Sequence, residues 1–88
     1  MGRLLDLSAV HSTHELHDLL ASFFGFPHYY GKNWDAFDEC LADFAPATTV
    51  VVRGFQNLLG ALPRDADALK EALGRAATED PAFTVIYE

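Results

Sequence analysis

The residues with the most obvious chemistry are four carboxylates, Asp35, Asp38, Glu39 and Asp43, spaced along one predicted helix. A spacing of three or four residues places them on one side of that helix. The helix dipole stabilises acids near a helix start. This accounts for Asp35 and extends at most to Asp38, and it does not account for Glu39. No Lys or Arg lies between Asn33 and Arg53. The residue types alone therefore leave two interpretations open, an ordinary solvated face and a face that binds cations.

Other chemistry is less well supported by the sequence. Asp35 and Glu39 could act as a pair of catalytic carboxylates, but the pattern offers no second catalytic element or sheltered cleft. Cys40 falls on the apolar face of the same helix, so a buried small residue is expected there rather than a nucleophile. We therefore expect a protein that is not an enzyme.

Three histidines, His11, His14 and His17, recur every third residue, which is a spacing that metal ligands can have. No cysteine or carboxylate is arranged to complete a closed site with them. On the predicted first helix, His14 points away from the apolar face and His17 lies toward one side. We expect solvated histidines, with no metal and no cofactor.

Composition limits the class of partner. The chain has 88 residues, half of them hydrophobic, and a formal net charge of -7. This size suits a single domain over residues 1–88, and the charge disfavours direct binding to nucleic acid and favours a basic partner. The single cysteine permits no internal disulfide, no apolar run is long enough to span a membrane, and the N-terminus lacks a signal-peptide pattern. A cytoplasmic location is expected.

The elements that position the carboxylates can be predicted from capping residues and periodicity. A first strand is expected around Leu4 to Leu7. A helix follows from about Ser12 to Phe24, since Ser12 and Glu15 form a capping-box pattern and Gly25 can end the helix. Asn33 is a favoured N-cap for a second helix from Trp34 to about Asp43. This helix directs Phe37, Cys40, Leu41 and Phe44 to the core, with Trp34 at the flank.

The second half of the chain repeats the alternation of strand and helix. The β-branched run from Thr48 to Val52 predicts a central strand that is covered on both faces. Phe55 to Leu59 suggests a short helix ended by Gly60, and Asp65 is a candidate cap for a last helix with Ala66, Leu69, Leu73 and Ala76 inward. Phe83 to Tyr87 predicts the third strand. The order β-α-α-β-α-α-β indicates an α/β fold, a small three-stranded parallel sheet with helices packed against it.

The segment around the second helix contains Pro27, Tyr29, Tyr30, Gly31, Asn33, Asp35, Ala36, Cys40 and Leu41. This set of residues resembles the signature of the barstar family, the intracellular inhibitors of small secreted ribonucleases. The resemblance implies the same α/β fold. It also implies that the second helix and the turn before it block a nuclease active site, with carboxylates in the place of RNA phosphates.

The resemblance also implies a partner-binding set. Tyr29 would stack at the rim. Independently of the resemblance, adjacent turn residues rarely share a face, so one of Tyr29 and Tyr30 is expected to point outward and the other inward. Asn33 and Asp35 would make polar contacts, Ala36 would allow close approach, and Glu39 would be the central anchor. The predicted set is completed by Trp34, for which packing is the competing role, and by Asp38 and Phe44. The implied partner is a basic ribonuclease in a 1:1 complex, and the free chain is expected to be a monomer.

Several positions depart from the family pattern. Glu39 stands where the family has Asp, Asp38 where it has Trp, Trp34 where it has a smaller aliphatic residue, and Phe44 where it has Trp. Arg75 aligns with an acidic contact in the last helix. These departures favour a target other than barnase itself. The alternative function is an immunity or regulatory module against a different basic toxin.

Overall fold

The computed structural model describes residues 2–44 and 47–88, with the side chain of Phe44 excepted. Its elements are β1 (Gly2–Asp6), α1 (Thr13–Phe24), α2 (Trp34–Phe44), β2 (Thr49–Arg53), α3 (Phe55–Ala61), α4 (Pro63–Glu79) and β3 (Thr84–Tyr87). The three strands are parallel and belong to one sheet. The predicted α/β fold and its order of elements are confirmed.

The sheet has the strand order β1-β2-β3, so both crossover connections step in the same direction. Because parallel crossovers are right-handed, this order places the helices on one face of the sheet. Alternate residues Leu5, Val50 and Val52 are fully buried on that face. They form the floor of the hydrophobic core.

The other face of the sheet is open. Leu4 and Ile86 flank Val51 in the strand register and are 45% and 54% exposed, while Val51 is half-buried between them. The prediction that β2 is covered on both faces is therefore wrong, although its central position is confirmed. The run of β-branched residues reflects shielding by neighbouring strands, since none of the described helices covers Val51.

Polar residues on this open face are satisfied across the strands. The hydroxyls of Thr49 and Thr84 are 2.7 Å apart and share a hydrogen bond. Arg53 Nη2 lies 3.0 Å from Glu88 Oε1. Cross-strand pairs of this kind stabilise neighbouring strands in a sheet.

Helix α1 begins and ends as its sequence predicts. Ser12 Oγ accepts a hydrogen bond of 3.1 Å from the Glu15 amide, while Glu15 Oε1 accepts one of 3.1 Å from the His11 amide. The reciprocal bond of the capping box thus reaches one residue further back than the usual pattern. Gly25 ends the helix with a φ of 69°, which is a left-handed conformation that glycine adopts at little cost.

Two predicted boundaries in the second half are wrong. Gly60 does not end α3, which continues to Ala61. Asp65 does not cap α4, because Leu62 occupies the cap and Pro63 the first helical position. Proline has the φ angle of a helix and lacks an amide that would need a partner there, so the helix begins earlier. The Asp65 side chain is free for contacts outside α4.

The core joins both crossovers to the sheet. Phe37 and Leu41 from α2 pack in one cluster with Leu69 and Leu73 from α4 and with Phe83 before β3.

Within residues 2–44 and 47–88, no helix has the length and apolar character needed to cross a membrane.

Among the six glycines of the chain, Gly54 is the one at which an added Cβ would meet the closest contact. Its φ is 79°, and a Cβ there would lie 2.6 Å from the backbone nitrogen of Ser8. We expect Gly54→Ala to lower the free energy of unfolding by about 2–4 kcal/mol, from left-handed strain and a backbone collision. Urea unfolding followed by circular dichroism measures the change.

Gly60 provides the matched control. It lies inside α3, and a Cβ added there would meet no atom within 4 Å beyond its own stretch of helix. Gly60→Ala should raise the free energy of unfolding by about 0.5–1 kcal/mol through helix propensity. Equal effects of the two substitutions would contradict the close approach of Gly54 to Ser8.

Candidate partner-binding site

The start of α2 is fixed by Asn33. Its Oδ1 accepts a hydrogen bond of 2.8 Å from the Ala36 amide, and its Nδ2 donates one of 3.3 Å to the Gly31 carbonyl. The predicted N-cap is confirmed. Since both ends of the amide are bonded to the local backbone, Asn33 acts first as a positioning residue for the helix.

The direction in which α2 faces follows from its buried side. Phe37 is fully buried, Leu41 is 1% exposed and Cys40 is 9% exposed. Burial, followed by the nearby charges of Asp43 and Glu39, raises the pKa of the Cys40 thiol. The predicted core role of Cys40 is confirmed, and the opposite side of the helix must face solvent.

The carboxylates on that outer side fall into two groups. Asp35 and Glu39 are exposed, and in the described part of the chain no residue hydrogen-bonds or ion-pairs with either of them. Asp38 is less exposed and is bound by Arg75, whose Nη2 lies 3.0 Å from Oδ1 and 2.8 Å from Oδ2. The segment between Asn33 and Arg53 holds no Lys or Arg, so the cation that pairs with Asp38 comes from α4.

Trp34 is half-buried and packs between elements. Its ring centroid lies 4.7 Å from that of His17 and 5.3 Å from that of Phe37. Its Nε1 donates a hydrogen bond of 3.0 Å to Asp65 Oδ1, and Asp65 Oδ2 accepts another from the Thr13 hydroxyl. These contacts tie the first turn of α2 to the first turns of α1 and α4.

The two tyrosines before α2 point in opposite directions, as predicted. Tyr29 is 72% exposed and Tyr30 only 7%. The Tyr30 hydroxyl lies 2.6 Å from Nδ1 of His17. Burial raises the pKa of Tyr30, so its hydroxyl stays protonated and available for this bond.

His17 corrects the prediction of solvated histidines, because it is only 1% exposed. Burial lowers its pKa, against smaller opposing effects of Asp65 and Asp18. The sequence contained a signal for this position, since His17, Leu20 and Phe24 fall on one helical stripe. Because histidine is polar, periodicity alone does not predict its burial. The burial is possible because the Tyr30 hydroxyl hydrogen-bonds to His17.

A second contact holds the loop between α1 and α2. Lys32 Nζ lies 2.8 Å from Asp18 Oδ1, and Lys32 has a φ of 52°, an uncommon backbone conformation for a residue other than glycine. A Cβ on Gly31 would lie 3.2 Å from Asn33 Nδ2. The loop therefore reaches the N-cap of α2 in a closely defined conformation.

Apart from Phe44, the predicted set lies on α2 or in the loop before it, with Asn33 exposed and with Trp34 and Asp38 half-buried. Tyr29, Asp35 and Glu39 are exposed there, and Ala36 is half-buried among them. The side chain of Phe44 lies outside the described part of the chain. Sequence reasoning missed Asp65 as a partner of Trp34 and Arg75 as a partner of Asp38, since each pair joins α2 to a distant part of α4.

Among the residues that the structure describes, no group of three or more His, Cys, Asp and Glu side chains could hold a metal ion. His14 Nε2 lies 3.1 Å from Oδ2 of Asp18, which is one helical turn further along α1.

The fold and surface define a small α/β protein in which α2 carries carboxylates on its solvent side. The chain matches the family described as Barstar (barnase inhibitor) over residues 1–88. It belongs to the barstar family. No curated protein matches the chain.

The buried His17 should make stability depend on pH. The unfolded chain takes up a proton at His17 near its ordinary pKa of 6.5, whereas the folded chain resists protonation until lower pH. The contribution of His17 to the free energy of unfolding should therefore be fully present above pH 6.5. It should be lost as the pH drops from 6.5 through the folded-state pKa. Urea titrations at several pH values between 7 and 5 measure this slope.

The matched variants are His17→Asn, which keeps an acceptor near Nδ1 but cannot be protonated, and His28→Asn, which removes an exposed histidine. His17→Asn should flatten the slope, whatever its effect on absolute stability, and His28→Asn should leave it unchanged. A slope that persists in His17→Asn would contradict the assignment.

Proposed function

We propose that this chain is a protein inhibitor of a small basic ribonuclease of the extracellular type. In this proposal α2 enters the active site of the nuclease, and its carboxylates take the positions of RNA phosphates. The chain acts in a 1:1 complex, from the cytoplasm and as a monomer when free, without catalysis of its own and without binding nucleic acid. Membership of the barstar family supports the class of partner.

The observation that carries the proposal is that the carboxylates of Asp35 and Glu39 are exposed and lack a partner among the described residues. Both are exposed on the same side of α2, one turn apart, and no described residue pairs with them. Like charges one turn apart destabilise a helix slightly, so the chain bears a small cost that a cationic partner would remove. Carboxylates bind guanidinium groups through short, often bidentate hydrogen bonds.

The neighbouring residues suit the same role. Tyr29 presents an aromatic ring that is 72% exposed beside the start of α2, and aromatic side chains of this kind are enriched at binding hot spots. Ala36 lies between Asp35 and the core side of the helix, where a small side chain lets a partner come close. The net charge of -7 would accelerate encounter with a basic protein.

The helix is also preorganised for binding. Asn33 fixes its first turn, Trp34 ties it to Asp65, and Tyr30 ties the preceding loop to His17. A surface that is already ordered loses less conformational entropy when it binds. Asp35 and Glu39 can therefore be presented in one arrangement before the partner arrives.

Substitution of the unpaired carboxylates tests the proposal. Glu39→Gln and Asp35→Asn keep size and shape while removing charge, so each should weaken inhibition by roughly 30-fold or more if it is a binding anchor. Inhibition constants against a panel of purified small secreted ribonucleases, barnase included, measure the effect. Raising the salt concentration should slow association with each inhibited enzyme.

Asp67→Asn is the matched control, because Asp67 is exposed on α4 and its substitution removes the same charge. It should change inhibition by less than about twofold. Absence of tight inhibition across the panel would contradict the proposal. Capture of a basic protein that is not a ribonuclease, lost on Glu39→Gln, would support the immunity module against another toxin instead.

A further inference from the structure

A groove runs between α2 and α4 along the edge of the acidic surface. It has a volume of about 310 Å³ and is lined chiefly by Asp38, Glu39, Ala42, Arg75, Ala76 and Glu79. Its lining also includes Leu41 and Ala72, which are 1% and 2% exposed, so apolar side chains lie beside the charged ones. A partner that covers the outer side of α2 must also face this groove.

Arg75 crosses the groove from α4 to α2. One of its terminal nitrogens, Nη2, binds both carboxylate oxygens of Asp38. The side chain remains 54% exposed, and no other described residue accepts a hydrogen bond from it. Its Nε and Nη1 donors are therefore available to another molecule.

The result is a surface of mixed charge. Asp35 and Glu39 are unpaired anions within the described chain, while Arg75 is a cation held in place beside them by Asp38. The hydrogen bond and charge of Asp38, with smaller effects of Glu71 and Glu79, raise the pKa of the Arg75 guanidinium. A partner that is basic along its whole contact surface would bring like charges together at Arg75, and such juxtaposition is a common source of specificity.

We propose that Arg75 is a specificity-determining residue of this surface. It selects ribonucleases that place a carboxylate or another hydrogen-bond acceptor opposite the groove, and it disfavours those that place Lys or Arg there. Guanidinium donors suit a carboxylate partner because of their planar geometry. This inference rests on the proposed function and names which members of that enzyme class the chain accepts.

The test compares inhibition constants of four variant chains with those of the unchanged chain against the same ribonuclease panel. Arg75→Gln removes the charge but keeps donors for Asp38, and Arg75→Glu reverses the charge. The double variant Asp38→Arg, Arg75→Glu restores an ion pair between α2 and α4 with its charges exchanged. Arg64→Gln is the control, because Arg64 is exposed in the first turn of α4, about 16 Å along the helix from Arg75.

We expect Arg75→Glu to change the ratio of inhibition constants between enzymes of the panel by at least about tenfold, with tighter binding to some and weaker binding to others. Arg75→Gln should shift the ratios in the same direction by less. The exchanged pair should recover the free energy of unfolding without restoring the original ratios. Arg64→Gln should leave both unchanged.

A purely structural role for Arg75 gives a different pattern. All inhibition constants would then rise by a common factor that follows the loss of stability, and their ratios between enzymes would stay unchanged in Arg75→Gln and Arg75→Glu. That outcome, or constants unchanged by Arg75→Glu, would overturn the inference while leaving the proposed function standing. If no chain inhibits any enzyme of the panel, the proposed function fails and the inference fails with it.

Discussion

The structure depends on one topological constraint, the sequential order of three parallel strands. Because both crossovers step in the same direction and are right-handed, the helices they contain must share one face of the sheet. The described helices therefore form a single layer, and each has a solvent side as well as a core side. This is why α2 can bury Phe37 and Leu41 while its opposite side carries charge.

Within that layer, hydrogen bonds between elements determine how α2 is presented. The loop before α2 is held by the hydrogen bond between Tyr30 and His17 and by the ion pair between Lys32 and Asp18. The first turn of α2 is held by the hydrogen bond from Trp34 to Asp65. Three of these residues precede or open α2, and their partners belong to α1 and α4. The acidic surface is thus positioned by contacts from elements that do not form it, and small changes at those elements would reorient Asp35 and Glu39.

The sequence predicted the parts of this arrangement that local rules govern. Ser12 and Gly25 located α1, Asn33 located the start of α2, and periodicity placed Cys40 in the core. It failed where pairs distant along the chain decide the outcome. His17 was predicted to be solvated, but it is buried with Tyr30 as its hydrogen-bond partner. Asp38 has no Lys or Arg near it in the sequence, but Arg75 from α4 pairs with it in the structure.

The open sheet face was missed for a related reason. A β-branched run such as Val50 to Val52 is equally compatible with one covered face and with two, because neighbouring strands shield the central strand. Strand order decides between one covered face and two. The sequence of a single strand does not show how many crossovers there are or in which direction they run. The exposed Leu4 and Ile86 are the consequence.

The central claim is that α2 occupies the phosphate-binding site of a ribonuclease. Competition measures it most directly: a mononucleotide is titrated into the ribonuclease that the chain inhibits most tightly, with and without one equivalent of the chain, by isothermal calorimetry. The account predicts that the complex no longer binds the mononucleotide, because carboxylates such as Glu39 replace its phosphate. Unchanged mononucleotide binding in the saturated complex would contradict it.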